Sequence, residues 1–346
     1  MKALFIADLK DGQAVASFFL ISSKEIRTSS RTGKSWLQLE LSDRTGRVSG
    51  KMWDNFADAA ARCDRDAIVK VQGRAKIYND QIELTIELIL PAQEGDYDIR
   101  DFLPHTKEDV EKLYARLREA IAAVKDPCLK NLLSSVVDDA AIAPKLKRAP
   151  AATTMHHAFI GGLLEHIVSV IGLMERVTDH YPELDRDLLL TGVVLHDIGK
   201  TEELSYARGF GYTTEGQLLG HIALGLALVR RKIESIPDFP RPLAVLVEHL
   251  ILSHHGTHEF GSPQLPQFRE AVVLHYLDDL DSKMAAMRAT LEGTGGEDEW
   301  SDRNPSLRRQ LLRTADFLCV EPAQKPEAAK ATTPVADAQK SLAWKK

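Results

Sequence analysis

Two metal-binding residue types stand side by side at His196-Asp197, at the end of the apolar run Leu189-Leu190-Thr191-Gly192-Val193-Val194-Leu195. A polar pair in such a run must be hydrogen-bonded, ion-paired or bound to a cation, because bare burial costs roughly 2–7 kcal/mol per polar group. Taken alone, the pair reads as a helix end with an incidental histidine. Gly199 would terminate that helix and leave Lys200 beside the pair. Its company changes the reading. His166, His221, His254-His255 and Asp278 each lie in or at the end of a helical pattern. His166 shares a face with Leu163, Val170 and Leu173, His221 with Gly225 and Leu228, and Asp278 with Leu274 and Asp281. Imidazoles and carboxylates that recur on core-facing sides point to a shared metal centre. With no cysteine among them, they suit Mn, Fe, Co, Ni or Zn. Seven candidates exceed what one ion takes, which favours two divalent ions.

This ordered set resembles the HD-domain metal-dependent phosphohydrolase superfamily, and the histidines after His196-Asp197 resemble its two-metal branch. The phrases Gly161-Gly162-Leu163-Leu164-Glu165-His166, Leu195-His196-Asp197-Ile198-Gly199-Lys200, Ser253-His254-His255-Gly256, Glu259-Phe260-Gly261-Ser262-Pro263 and Leu274-His275-Tyr276-Leu277-Asp278 resemble the YhaM-type 3′–5′ exoribonucleases. The resemblance implies that His166, His196, Asp197 and Asp278 hold one ion. Asp197 would bridge to a second, held by His221, His254 and His255, with manganese favoured. It makes Asp197 and Lys200 the catalytic pair, Lys200 offsetting charge on phosphoryl oxygens. His157 would face the substrate, and Asp281 would support the ligands without binding metal. His275 is expected to be a packing residue. The implied reaction is 3′–5′ hydrolysis of single-stranded RNA to nucleoside monophosphates, with single-stranded DNA left open. The alternative is an HD phosphohydrolase for a free or cyclic nucleotide, carrying a regulatory or assembly module.

The elements that must position these residues divide the chain. Residues 1–92 carry strand patterns at 15–21, 35–41, 47–53, 67–75 and 81–88, with a short helix from Asn55 to Cys63. Five strands with a helix between the third and fourth match an OB-fold barrel in order. Such barrels stack bases on aromatics along a basic groove. Candidates are Phe19, Trp36, Trp53 and Tyr78, with Arg27, Lys34, Lys51 and Lys76 for phosphates; Trp36 is the favoured stacking residue. Residues 93–150 read as a linker to His105 and then a helical segment, with Lys145, Lys147 and Arg148 as a further basic cluster. Residues 151–320 read as an all-α bundle with a Thr214-led capping box before His221 and a last helix from Pro305 to Leu318. Residues 321–346 are expected to be disordered. The fold class is therefore multidomain: an all-β OB-fold barrel followed by an all-α HD-domain bundle.

Composition sets the outer bounds. The 346 residues are 44% hydrophobic and 27% charged, with a net charge of −6, which gives no global pull toward nucleic acid. Charge is uneven, however: residues 22–51 hold seven Lys or Arg against three Asp or Glu. Cys63, Cys128 and Cys319 form neither a metal spacing nor a disulfide framework, which suits a reducing cytoplasm. No run of about 18 apolar residues predicts a membrane span. Assembly into a homo-oligomer is left open.

Overall fold

The computed structural model describes all residues except 1, 3, 31, 80, 94, 153–158, 207–210, 294–298, 305–306 and 320–346. The expectations for His157 and the tail lie outside the described residues.

Five strands, β1 (Ala14–Thr28), β2 (Ser35–Asp43), β3 (Gly46–Met52), β4 (Ile68–Tyr78) and β5 (Gln81–Pro91), close a barrel in the order β1-β2-β3-β5-β4. Helix α1 (Phe56–Arg62) falls between β3 and β4. The first strand is twice the expected length, and that length closes the barrel. Its first half pairs with β4 and its second with β2, with a bulge between Ile21 and Ser23 at the changeover. Alternation along β2 puts Leu37, Leu39 and Leu41 inside, with no exposure, and leaves Trp36, Gln38 and Glu40 on the outer face. Phe19 is fully buried in the barrel core, which removes it from the stacking candidates.

The segment after the barrel, expected to be a linker to His105, packs against its neighbours. A 3₁₀ turn at Ile99–Asp101 precedes Phe102 and Leu103, which are buried with Leu20 and Ile68 of the barrel and with Ile160. Backbone bonds from Thr106 N to Ile160 O and from Ile160 N to Pro104 O, each 2.9 Å, tie this segment to the second half of the chain.

The helical part begins with α2 (Val110–Ala122), α3 (Pro127–Val137) and α4 (Ala143–Arg148). Asp109 and Asp126 cap α2 and α3 by accepting backbone N–H bonds, while Thr106 accepts from Glu108 N and donates to Glu165. The bundle proper comprises α5 (Gly162–His180), α6 (Arg186–Leu195), α7 (Lys200–Glu203), α8 (Thr214–Glu234), α9 (Arg241–Ser253) and α10 (Arg269–Gly293). A two-stranded ribbon, β6 (Leu204–Ser205) with β7 (Gly211–Tyr212), joins α7 to α8. One continuous apolar core runs from Leu117 on α2 to Leu277 on α10. Two local expectations are corrected. The cap of α8 is Thr213, whose hydroxyl accepts from Gly216 N at 2.9 Å, not Thr214. The last helix, α11 (Thr314–Cys319), is short; before it, isolated bridges Trp300–Leu312 and Asn304–Arg309 make an antiparallel turn that helical periodicity does not reveal.

Candidate metal centre

Two helix ends and three helix interiors deliver the centre. His166 lies on the second turn of α5; His196 ends α6, and Asp197 follows it. His221 lies in α8, His254 ends α9 with His255 next, and Asp278 lies on α10. His166, His196, Asp197 and His254 are each at most 2% exposed. The Nε2 atoms of His166 and His196 lie 3.3 Å apart. Each also faces a carboxylate oxygen at 3.3 Å, Asp278 Oδ1 for His166 and Asp197 Oδ2 for His196. On the other side of the same carboxylate, Asp197 Oδ1 lies 3.4 Å from His221 Nε2 and 3.7 Å from His254 Nε2. Asp197 thus faces two clusters: His166 and His196 on one oxygen, His221 and His254 on the other, with His255 completing the second.

In every one of the five imidazoles the opposite nitrogen is held by an oxygen. Nδ1 of His166 meets Asp281 Oδ2 at 2.8 Å, and Ser169 in turn donates to Asp281. Nδ1 of His196 meets Val193 O at 2.9 Å, that of His254 meets Ile251 O at 2.8 Å, and that of His255 meets Phe260 O at 2.8 Å. Nδ1 of His221 meets Glu203 Oε1 at 3.3 Å. For His196, His221, His254 and His255 this pattern places the proton on Nδ1 and points the Nε2 lone pair into the cluster. Asp197 Oδ1, His221 Nε2 and His254 Nε2 are buried and carry no hydrogen bond. Leaving such atoms unmade costs about 1–3 kcal/mol each. Three orphans at one point, two imidazole nitrogens and a carboxylate oxygen, form a donor set that suits a divalent cation.

The electrostatics agree. Burial, reinforced by the neighbouring His196 and His255, holds His254 well below its ordinary value, so it is neutral and ready to ligate. Burial and His221 lower His255 in the same direction. Burial alone would raise the carboxyls, but Lys200, His196 and His221 hold Asp197 well below the usual range, and His166 does the same for Asp278. Burial opposes charge on His166 too, yet Asp278 and Asp281 push it up to about 10. The same two carboxylates that hold a proton there would favour a metal ion in its place.

Local backbone geometry explains why the sequence folds this way. Gly199 is not the left-handed helix stop expected; its φ is −63°. Its role is close approach: a Cβ there would lie 2.0 Å from His221 O, so only glycine lets α8 come this near to the His196-Asp197 corner. Gly220, at φ +73°, breaks α8 immediately before His221. The break turns His221 N toward Glu203 Oε1, 3.0 Å away, so Glu203 grips both the backbone and the ring of that histidine. Glu203 was not singled out in the sequence; the one available signal is its place three residues after Lys200. His275, expected to pack, bonds His254 O through Nδ1 at 3.0 Å and lines the cavity over the cluster. That cavity measures about 180 Å³ and also exposes Asp197, Lys200, His255, Phe260 and Asp278. Lys200 Nζ sits 2.6 Å from Asp197 Oδ2, with Asp197 raising its pKa against the effect of burial.

The nucleic-acid candidates gather elsewhere, on the outer face of the barrel. A groove of about 520 Å³ is lined by Arg27, Trp36, Gln38, Ser49, Lys51 and Glu83, among others. Trp36 and Trp53 rings lie 5.1 Å apart, and Trp36 Nε1 donates to Gln38 at 3.1 Å. Tyr78 is exposed, with the Lys51 ammonium 5.2 Å from its ring centre. Lys34 and Lys76 are exposed as well. The basic patch is less free than its composition suggests: Arg27 pairs with Glu25, Arg47 with Glu40, Lys24 with Asp64, and Lys51 with Glu83. In the second basic cluster, Lys145 pairs with Glu202 and Lys147 with Glu111.

Comparison with known proteins accounts for both halves. The HD domain family matches residues 163–283, and the OB-fold nucleic acid binding domain family matches residues 20–91. A protein named 3′–5′ exoribonuclease YhaM from Bacillus velezensis is 37% identical over 282 residues, 81% of this chain and 88% of that one. The Bacillus subtilis protein of the same name is 36% identical over the same shares of both chains. That of a Geobacillus species is 37% identical over 81% of this chain and 86% of its own. An OB-fold barrel, an HD bundle and this extent of identity together make the chain a member of the YhaM family.

Proposed function

We propose that this chain is a metal-dependent 3′–5′ exoribonuclease that hydrolyses single-stranded RNA to nucleoside monophosphates. The observation that carries the proposal is the convergence of five anchored imidazoles on Asp197 and Asp278, which leaves three buried ligand atoms without partners. The exoribonuclease names of the relatives support the reaction class. His166, His196, Asp197 and Asp278 are the proposed holders of one ion, and Asp197, His221, His254 and His255 of the second, with manganese favoured. When bound, two such ions supply Lewis acidity and a nucleophile at a phosphoryl centre.

The chain's own residues do the rest. Asp197 presents one oxygen to each cluster and so fixes their spacing. Asp281 and Glu203 hold His166 and His221 in register from behind. Lys200, on the cavity wall, carries a positive charge to the oxygens of the scissile phosphate. The small cavity admits one phosphodiester end. On the barrel, Trp36 and Trp53 stack bases, while Arg27, Lys34 and Lys51 exchange carboxylate partners for strand phosphates. Single-stranded DNA as a second substrate, assembly of identical chains and a cytoplasmic location belong to the same proposal. Free Cys63 and Cys128 suit that compartment.

End-labelled RNA tests the direction. With a 5′ label the proposal expects a ladder that shortens stepwise; with a 3′ label it expects labelled mononucleotide as the first product. Labelled 3′ fragments of intermediate length would overturn it.

A further inference from the structure

The cavity over the metal cluster is small and opens to the surface. At about 180 Å³ it falls below the roughly 300 Å³ at which pockets begin to enclose ligands of that size. A phosphodiester and part of a ribose would fill it, which puts the base of a terminal nucleotide at the rim. Among the described residues lining the cavity, Phe260 alone is apolar, and its side chain is 64% exposed. This exposure is not the slack of a loose loop. Phe260 N bonds Thr257 O at 3.2 Å and Ser262 N bonds the same oxygen at 3.1 Å. The Ser262 hydroxyl donates to Leu252 O and Gln264 O, and His258 Nδ1 meets Ser262 O at 3.0 Å. The Phe260 carbonyl is itself the anchor of His255. A turn fixed at this many points holds a large apolar ring in water beside a phosphate-sized cavity, although burying the ring would be favourable.

We propose that the Phe260 ring is the stacking platform for the 3′-terminal base of the strand, a binding subsite that rests on the exonuclease reading above. Stacking on a phenyl face accepts any base. That tolerance is what a hydrolase needs if each turnover presents a new terminal nucleotide. Backbone and side chain have separate tasks: the carbonyl holds His255 and the ring holds the base. Changing the ring therefore leaves the metal site in place, and Phe260 acts as a positioning residue.

The test uses the full-length protein and two single-stranded RNAs that differ only in a 3′-terminal abasic nucleotide. The first cleavage step and the bound metal are measured for wild type, Phe260→Ala and Phe260→Trp. On ordinary RNA, Phe260→Ala is expected to lower kcat/KM about 5- to 100-fold, mainly through KM, with metal content unchanged. On the abasic RNA the wild type should already show that loss, and Phe260→Ala should add nothing; Phe260→Trp should restore the ordinary substrate. An equal loss from Phe260→Ala on both RNAs, no loss on either, or metal lost in step with activity would overturn the subsite. Wild-type protein that shortens neither RNA from its 3′ end would overturn the exonuclease reading with it, whereas a wild type that shortens both and an unaffected Phe260→Ala would overturn the subsite alone.

Discussion

At the centre of the helical bundle, Asp197 Oδ1, His221 Nε2 and His254 Nε2 are buried without hydrogen bonds. On the outer face of the barrel, Lys24, Arg27, Arg47 and Lys51 each already have a carboxylate partner. The first region is built around a charge to be supplied from outside, and it is held rigid by anchors on every imidazole. The second has satisfied itself, through pairs of which Arg27–Glu25 and Arg47–Glu40 are open to solvent and worth about 0–1 kcal/mol each. Such pairs give way to phosphates with little cost or gain. The difference teaches where each kind of function belongs. A reaction centre needs fixed geometry and an unmet demand for charge; a strand-gripping surface needs many weak contacts that can be exchanged as the strand moves.

If this division holds, lesions in the two regions differ in kind as well as size. Asp197→Ala removes the one carboxylate facing both clusters, so hydrolysis should fall below detection and bound metal should drop. Full activity in a folded variant, checked by circular dichroism, would end the two-cluster account. Lys200→Ala should lower kcat by about 10²–10³-fold with metal content intact, since its charge is assigned to phosphate. Metal analysis beside turnover decides this, because metal lost in proportion to activity would reassign Lys200 to the ligand shell. Glu203→Gln, which loosens His221 from behind, should weaken metal affinity about 10- to 100-fold and be rescued by excess metal. Persistence of the defect at saturating metal would point to a structural fault instead. Trp36→Ala should have the smallest effect: about a fivefold rise in KM for long RNA, with kcat nearly unchanged and little effect on a dinucleotide. A kcat effect as large as that of Lys200→Ala would erase the contrast between the two regions.

The two regions were also unequally legible. His166, His196-Asp197, His221, His254-His255 and Asp278 stand out because metal-binding side chains on apolar helix faces contradict ordinary core chemistry. The five strands and the helix among them were visible in order, because alternation in β2 and β4 is clean. What the sequence concealed is tertiary. Phe19 and Trp36 are both strand aromatics, and only closure of the barrel decides that one is core and the other surface. The basic residues of the groove looked free because their partners, such as Glu83 for Lys51, lie on other strands. Gly199 looked like a helix stop, since a close approach to His221 O involves a segment more than twenty residues away. Phe102 and Leu103 looked like linker residues because the surfaces that bury them belong to the barrel and to the segment at Ile160.

If the proposal holds, Asp197 and the six residues on its two sides bind two ions, and both are needed for hydrolysis. The most direct measurement strips the full-length protein with a chelator and then titrates manganese, counting bound metal and RNA shortening in the same samples. The account predicts saturation at two ions per chain, with activity returning only as the second binds. Activity that saturates at one ion per chain, or that survives in the stripped protein, would contradict it.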